Sequence, residues 1–152
     1  MSTAPGTTTA RGSGPRPSGA AVGPGRGLLR ITAAGLALAD GMIHAAVLGE
    51  HFEKALYMGI LFGFAIVFLG MLAIALVRPP WDGPGSGPGM LTWAGGLLLM
   101  AGLIAGYFVT RTIGLPGFSG GWNDVGLTTV AMEVLIAVLL LADVPGRAQR
   151  PG

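Results

Sequence analysis

Four long apolar stretches constrain the fold of this chain more than any other feature. They cover residues 28–48, 55–77, 90–110 and 126–142. Each is close to the ~20 residues that an α-helix needs to cross the hydrocarbon of a bilayer. Residues 62–77 carry no polar face at helical spacing, as the surface helix of a soluble protein would. We therefore predict an all-α fold, an antiparallel four-helix transmembrane bundle over residues 28–142.

The composition favours a membrane protein over a soluble domain. Hydrophobic residues make up 51% of the 152 residues and charged residues 11%, whereas charged residues make up about 25% of soluble domains. The formal net charge is +2 without any basic run, so no nucleic-acid partner is predicted. Since the chain has no cysteine, disulfides and thiolate metal sites are excluded.

The segments outside the apolar stretches predict the tails and the topology. Residues 1–27 are rich in Gly, Pro, Ser and Thr, which predicts a disordered tail, and residues 143–152 form a second short tail. Basic residues gather in these tails and after residue 77, and only Lys54 and Arg111 fall in the other two loops. The positive-inside rule then places both termini in the cytoplasm. Eight arginines to one lysine, with 28 glycines, are typical of a high-GC genome and favour a bacterial plasma membrane.

The first apolar stretch also allows processing as a signal peptide. Residues 37–39 are an A-x-A sequence that follows an apolar run flanked by Arg26 and Arg30. Cleavage there would leave three helices, beginning at Asp40. The long preceding tail and the apolar character through Leu48 favour retention.

Acidic and imidazole side chains inside the apolar stretches form the candidate functional site. Asp40 lies in the first stretch and Glu133 in the last, where a charge costs at least about 2.5–3.5 kcal/mol at the centre of a membrane helix. His44 shares a helix face with Asp40, and His51 returns to within about 20° of that face. If the first and last helices run in opposite directions, Asp40 and Glu133 lie at matching depth. The sequence leaves open whether these two helices are neighbours.

This set of side chains suits a divalent transition metal. Imidazole and carboxylate groups together bind zinc, iron, manganese, nickel or copper. Glu50 and Glu53 are weaker candidate ligands at the mouth of the site, where Arg111 also lies. The spacing matches no established metal motif, and the chain carries no Walker loop, dinucleotide fingerprint or catalytic triad. Metal-assisted hydrolysis would need a substrate groove that the sequence does not indicate, so no enzymatic activity is predicted.

Each candidate residue also has a structural interpretation. Asp40 and His44 can bond each other at i, i+4, and Glu133 can be protonated or paired across helices. Glu50 suits an ion pair with Lys54.

Other residues fit packing or interfacial roles. Small residues at four-residue spacing, as at Gly59 and Gly63, favour close packing within the chain or between two copies. Tyr107 and Trp122 are interpreted as interfacial anchors and Arg111 as a snorkelling side chain.

One segment resembles a known group of proteins. Residues 42–65 (MIHAAVLGEHFEKALYMGILFGFA) contain His44, Glu50, His51 and Glu53. This pattern resembles one in small uncharacterised four-helix membrane proteins of high-GC Gram-positive bacteria, and residues 111–116 and Glu133 are similar to features of the same proteins. The resemblance covers residues 28–142. It implies a four-helix fold and a membrane location, and it implies no activity.

Together these observations predict a small polytopic membrane protein with an outward-facing site of Asp40, His44, His51 and Glu133. The site would bind a divalent metal ion or a proton, in transport, storage or sensing. Four helices are few for a complete transporter, so we expect a homo-oligomer or a larger membrane complex within the lipid bilayer. The alternative is a structural or accessory subunit without ligand chemistry. The ion, the oligomeric state and the partner stay open.

Overall fold

The fold consists of four α-helices. A computed structural model describes residues 24–78 and 87–143, and within these ranges it contains no β-strand. The helices are α1 (Pro24–Lys54), α2 (Leu56–Val77), α3 (Gly87–Thr112) and α4 (Asp124–Ala142). By length and composition, all four could cross a membrane. The prediction of an all-α chain with four apolar helices is confirmed.

The helix ends differ from the predicted ones mainly in α1. Residues 24–27, which we predicted as tail, already belong to α1, and residues 49–54, which we predicted as a loop, form its last turns. Ala55, with φ −162° and ψ 127°, separates α1 from α2. The predicted tails at residues 1–23 and 144–152 lie outside the described residues.

The connection between α3 and α4 folds back on itself through a tight turn. Leu115 and Phe118 each donate a backbone N–H to the other's carbonyl oxygen at 2.8 Å. Gly117 has φ 74°, a left-handed conformation that glycine adopts without strain. The Tyr57 hydroxyl donates to the Pro116 carbonyl at 2.8 Å, which ties this turn to α2. The connection is thereby held over the ends of α1 and α2.

The core forms where α1 contacts α2 and α4. Three alanines of α1 are almost fully buried: Ala33, Ala34 and Ala37. They pack with larger residues from the other helices, among them Leu69, Leu72, Met100, Ile136 and Leu140. Small side chains on this face of α1 let the neighbouring helices approach closely. By contrast, α2 and α3 contact each other least of the neighbouring helix pairs.

Tyr107 of α3 packs against Gly126 of α4 so closely that no side chain fits at residue 126. A Cβ added at Gly126 would overlap the Tyr107 ring, which is itself buried. We therefore expect Gly126→Ala to lower the free energy of unfolding by about 1–3 kcal/mol, as overpacking does. The measurement is unfolding in mixed detergent, with Gly106→Ala as the control because its Cβ would meet nothing within 4 Å. Equal stability of both variants would contradict this close packing.

Candidate metal centre

Three side chains from α1 and α4 come together to form the candidate site. Asp40 and His44 lie one turn apart on α1, and Glu133 lies on the face of α4 that packs against α1. One potential ligand atom from each of the three lies within 4.8 Å of the other two. The exposed fractions are 0%, 7% and 2%, so the group is shielded from solvent.

The hydrogen bond of His44 orients its ring for coordination. Nδ1 lies 3.0 Å from the carbonyl oxygen of Asp40 and 3.4 Å from its Oδ1. Since a carbonyl oxygen only accepts, this bond favours the tautomer with the proton on Nδ1. Nε2 then carries the free lone pair that binds a metal ion.

Three of the four carboxylate oxygens of the site are buried without a hydrogen-bond partner among the described residues: both oxygens of Asp40 and Oε2 of Glu133. Native proteins satisfy nearly all buried polar atoms, and an unpaired buried carboxylate is strongly unfavourable. A cation or a proton at this position would remove that cost.

Apolar residues lie beside this group on α1 and α2. Ala37, one turn before Asp40 on α1, is fully buried. The Phe62 ring of α2 lies 5.1 Å from the His44 ring, centroid to centroid. The group is thus a small polar cluster that offers one imidazole and two carboxylates.

The other predicted ligands lie outside this group. Nδ1 of His51 lies 2.8 Å from the Val47 carbonyl oxygen and is the donor of this bond, because a carbonyl oxygen only accepts. Its ring stacks on Phe62 at 3.7 Å. Glu50 pairs with Lys54 at 3.8 Å, and both side chains are exposed.

Two further residues of the predicted mouth also lie outside the metal group. Glu53 is exposed at the end of α1. Arg111 places its guanidinium over the Tyr107 ring.

A buried ion pair between α1 and α4 was not predicted. Arg30 Nε donates to Asp143 Oδ2 at 3.0 Å, with side-chain exposures of 10% and 2%. From the sequence, Arg30 is a topology signal and a flank of the possible signal peptide, and Asp143 falls in the predicted tail. The signal was in the spacing, because Arg30 falls on the same three- and four-residue repeat as Ala37 and Asp40. Asp143 continues the repeat of Glu133 on α4 in the same way.

Comparisons of the chain with protein-family models, with curated proteins and with solved structures find no match. The resemblance to small four-helix membrane proteins therefore stays a prediction. The interpretation of the site rests on its geometry.

Proposed function

We propose that this chain is a multi-pass protein of the bacterial plasma membrane in which Asp40, His44 and Glu133 bind one divalent transition-metal ion. The observation that carries this proposal is the set of buried carboxylate oxygens without hydrogen-bond partners beside an imidazole. Three protein ligands leave further coordination positions for water, as in zinc sites with an open position. Transport, storage or sensing of the ion would all use such a site.

The size of the group is close to that of a metal site. Ligand atoms that each lie about 2.1 Å from one tetrahedral ion are about 3.4 Å apart. The three ligand atoms, all within 4.8 Å of one another, would therefore need to close by up to about 1.4 Å to hold one ion.

The contacts between α1 and α4 support an antiparallel arrangement. Arg30 pairs with Asp143, and further along α1 Asp40 approaches Glu133, so residue numbers rise on α1 as they fall on α4. With both termini in the cytoplasm, Arg30 lies at the cytoplasmic side, in keeping with the positive-inside rule. The site of Asp40 then opens toward the outer half of the membrane.

A role as an accessory subunit is the second candidate. It is favoured by α3, the least buried of the four helices, which leaves most of its surface for a partner or a second copy. In that case Asp40, His44 and Glu133 would fix the register of α1 against α4 and bind no ion.

Metal analysis of the full-length protein distinguishes these candidates. Detergent-purified protein is freed of metal with a chelator and then titrated with Zn²⁺ and with Mn²⁺. We expect about one ion per chain, bound more weakly as the pH falls because protons compete for the same ligands. The outcome against metal binding is no bound ion at any pH. Uptake of protons without any metal would then indicate a proton site. Binding of neither metal nor protons would favour the accessory subunit.

A further inference from the structure

A large cleft opens between α2 and α3, which contact each other least of the neighbouring helix pairs, and residues of α1 and α4 also line it. Its volume is about 1300 Å³, above the roughly 300–1,000 Å³ of ordinary small-molecule pockets. The walls are mainly apolar and include Phe64, Phe68 and Met71 of α2 and Leu98, Leu99 and Gly102 of α3. A cleft of this size and lining suits a long hydrocarbon chain.

One end of the cleft carries a positioned arginine. The Arg111 guanidinium carbon lies 4.0 Å from the centroid of the Tyr107 ring, and Nη1 of Arg111 donates to Thr110 Oγ1 at 2.6 Å. A Cβ at Gly120 would lie only 3.0 Å from that carbon, so the connection between α3 and α4 packs closely against another side of the guanidinium. The cation is therefore held in place at the lining of the cleft.

Two donors at this end have no partner. Among the described residues, the Tyr107 hydroxyl and Arg111 Nε are buried without a hydrogen bond, and Tyr107 is only 9% exposed. Both residues line the cleft. Buried donors in this state call for an acceptor, which the described part of the chain does not supply.

The charges that line the cleft leave Arg111 uncompensated. Glu50 and Lys54 pair with each other at 3.8 Å, and Glu133 belongs to the candidate metal centre. Within residues 24–78 and 87–143, no carboxylate lies within 4.0 Å of the Arg111 nitrogens. The ligand expected here is an anion, and phosphate oxygens accept strong charge-assisted hydrogen bonds from arginine.

We propose that the cleft between α2 and α3 binds an anionic phospholipid, with its phosphate at Arg111 and Tyr107 and its hydrocarbon chain along the apolar walls. His44 and Glu133 of the metal group also line the cleft, but the proposed phosphate site uses other residues, since neither Arg111 nor Tyr107 belongs to the metal group. A free phosphate would use the same two donors but would leave the apolar walls without a ligand.

Native mass spectrometry of the full-length protein in detergent tests the proposal. The probes are lysophosphatidylglycerol, monoacylglycerol with the same chain, and glycerol phosphate as the headgroup alone. We expect lysophosphatidylglycerol to bind at least about tenfold more tightly than either of the others. Arg111→Gln should weaken its binding about tenfold through loss of a charge-assisted contact, and Tyr107→Phe about threefold. Arg78→Gln is the control, since Arg78 is exposed outside the cleft.

A second variant tests the hydrocarbon chain. Gly102 lines the cleft, and a Cβ there would meet nothing within 4 Å. Gly102→Leu should fill this space and weaken lysophosphatidylglycerol binding about tenfold, whereas Gly35→Leu, on exposed α1 surface outside the cleft, should not. Unchanged binding in both Arg111→Gln and Gly102→Leu would overturn the proposal, as would equal binding of glycerol phosphate. Metal titration of Arg111→Gln should match the wild type, which keeps this test independent of the metal site.

Discussion

Replacement of His44 by alanine is expected to lower the affinity for a divalent metal ion at least about 100-fold, whereas replacement of His51 should leave it unchanged. Even residues that only orient a ligand contribute 10–100-fold to metal affinity, so loss of a ligand should cost at least as much. His44 belongs to the buried group with Asp40 and Glu133. His51 stacks on Phe62 instead, and it lies seven residues, about 10 Å, further along α1.

The measurement is a Zn²⁺ titration of His44→Ala beside His51→Ala, with Asp40→Asn and Glu133→Gln as further ligand variants. Gel filtration and helical circular dichroism establish that each variant is folded. If His44→Ala and His51→Ala lose metal equally, the proposed ligand set is incorrect. If all four variants retain the ion, it binds elsewhere in the protein.

Replacement of Arg30 by methionine is expected to lower the free energy of unfolding by about 3–5 kcal/mol. Removal of one partner of a buried ion pair leaves the other charge uncompensated, and that is the costly state. Asp143 is 2% exposed, and its Oδ1 has no hydrogen-bond partner among the described residues. The lost contact at Oδ2 would leave the whole carboxylate unsatisfied.

The double variant Arg30→Met/Asp143→Leu distinguishes the contribution of the ion pair to stability from that of each single charge. Replacing both charges with apolar side chains is often neutral or stabilising, so most of the lost stability should return. Lys54→Met is the matched control, because its ion pair with Glu50 is exposed and should contribute less than about 1 kcal/mol. Unfolding in mixed detergent measures the single variants Arg30→Met and Asp143→Leu, the double variant and the control. Additive effects of the two single substitutions would show that Arg30 and Asp143 do not act as a pair.

The number and type of helices were predictable because apolar length alone sets them. What the sequence could not supply was the boundary between α1 and α2. Residues 49–54 are polar enough for a loop, but they contain no proline. Glu50 and Lys54 form an i, i+4 pair at 3.8 Å that supports the last turn of α1. The helix therefore continues until the extended backbone of Ala55 ends it.

The candidate site was predictable in part. The four-residue spacing of Asp40 and His44 places them on one face of α1 in any helix. Their approach to Glu133 depends on α1 and α4 being neighbours, which a single sequence does not reveal. His51 lies at nearly the same angle about the helix axis as Asp40 but too far along that axis to join the group. The angular position of a residue takes no account of its axial rise.

Tyr107 shows why the role of an aromatic residue near a helix end is ambiguous from the sequence: it can be an interfacial anchor or a buried packing residue. Its position near the end of α3 suggested an interfacial anchor, and Trp122 in the same region is indeed 56% exposed. Tyr107, however, is covered by Arg111 and lies against Gly126. The glycine that makes room for it is distant in sequence, so only the packing of α3 against α4 reveals the contact.

One ion pair and the candidate metal centre both lie between α1 and α4. Arg30 pairs with Asp143, and Asp40 and Glu133 come close to each other at a second height on the same two helices. Between α2 and α3 no ion pair is formed among the described residues. The spacing of α2 and α3 can therefore change while the ion pair between Arg30 and Asp143 stays intact. Because His44 and Glu133 line the cleft, occupancy of the cleft and loading of the metal centre would then concern neighbouring parts of one small protein.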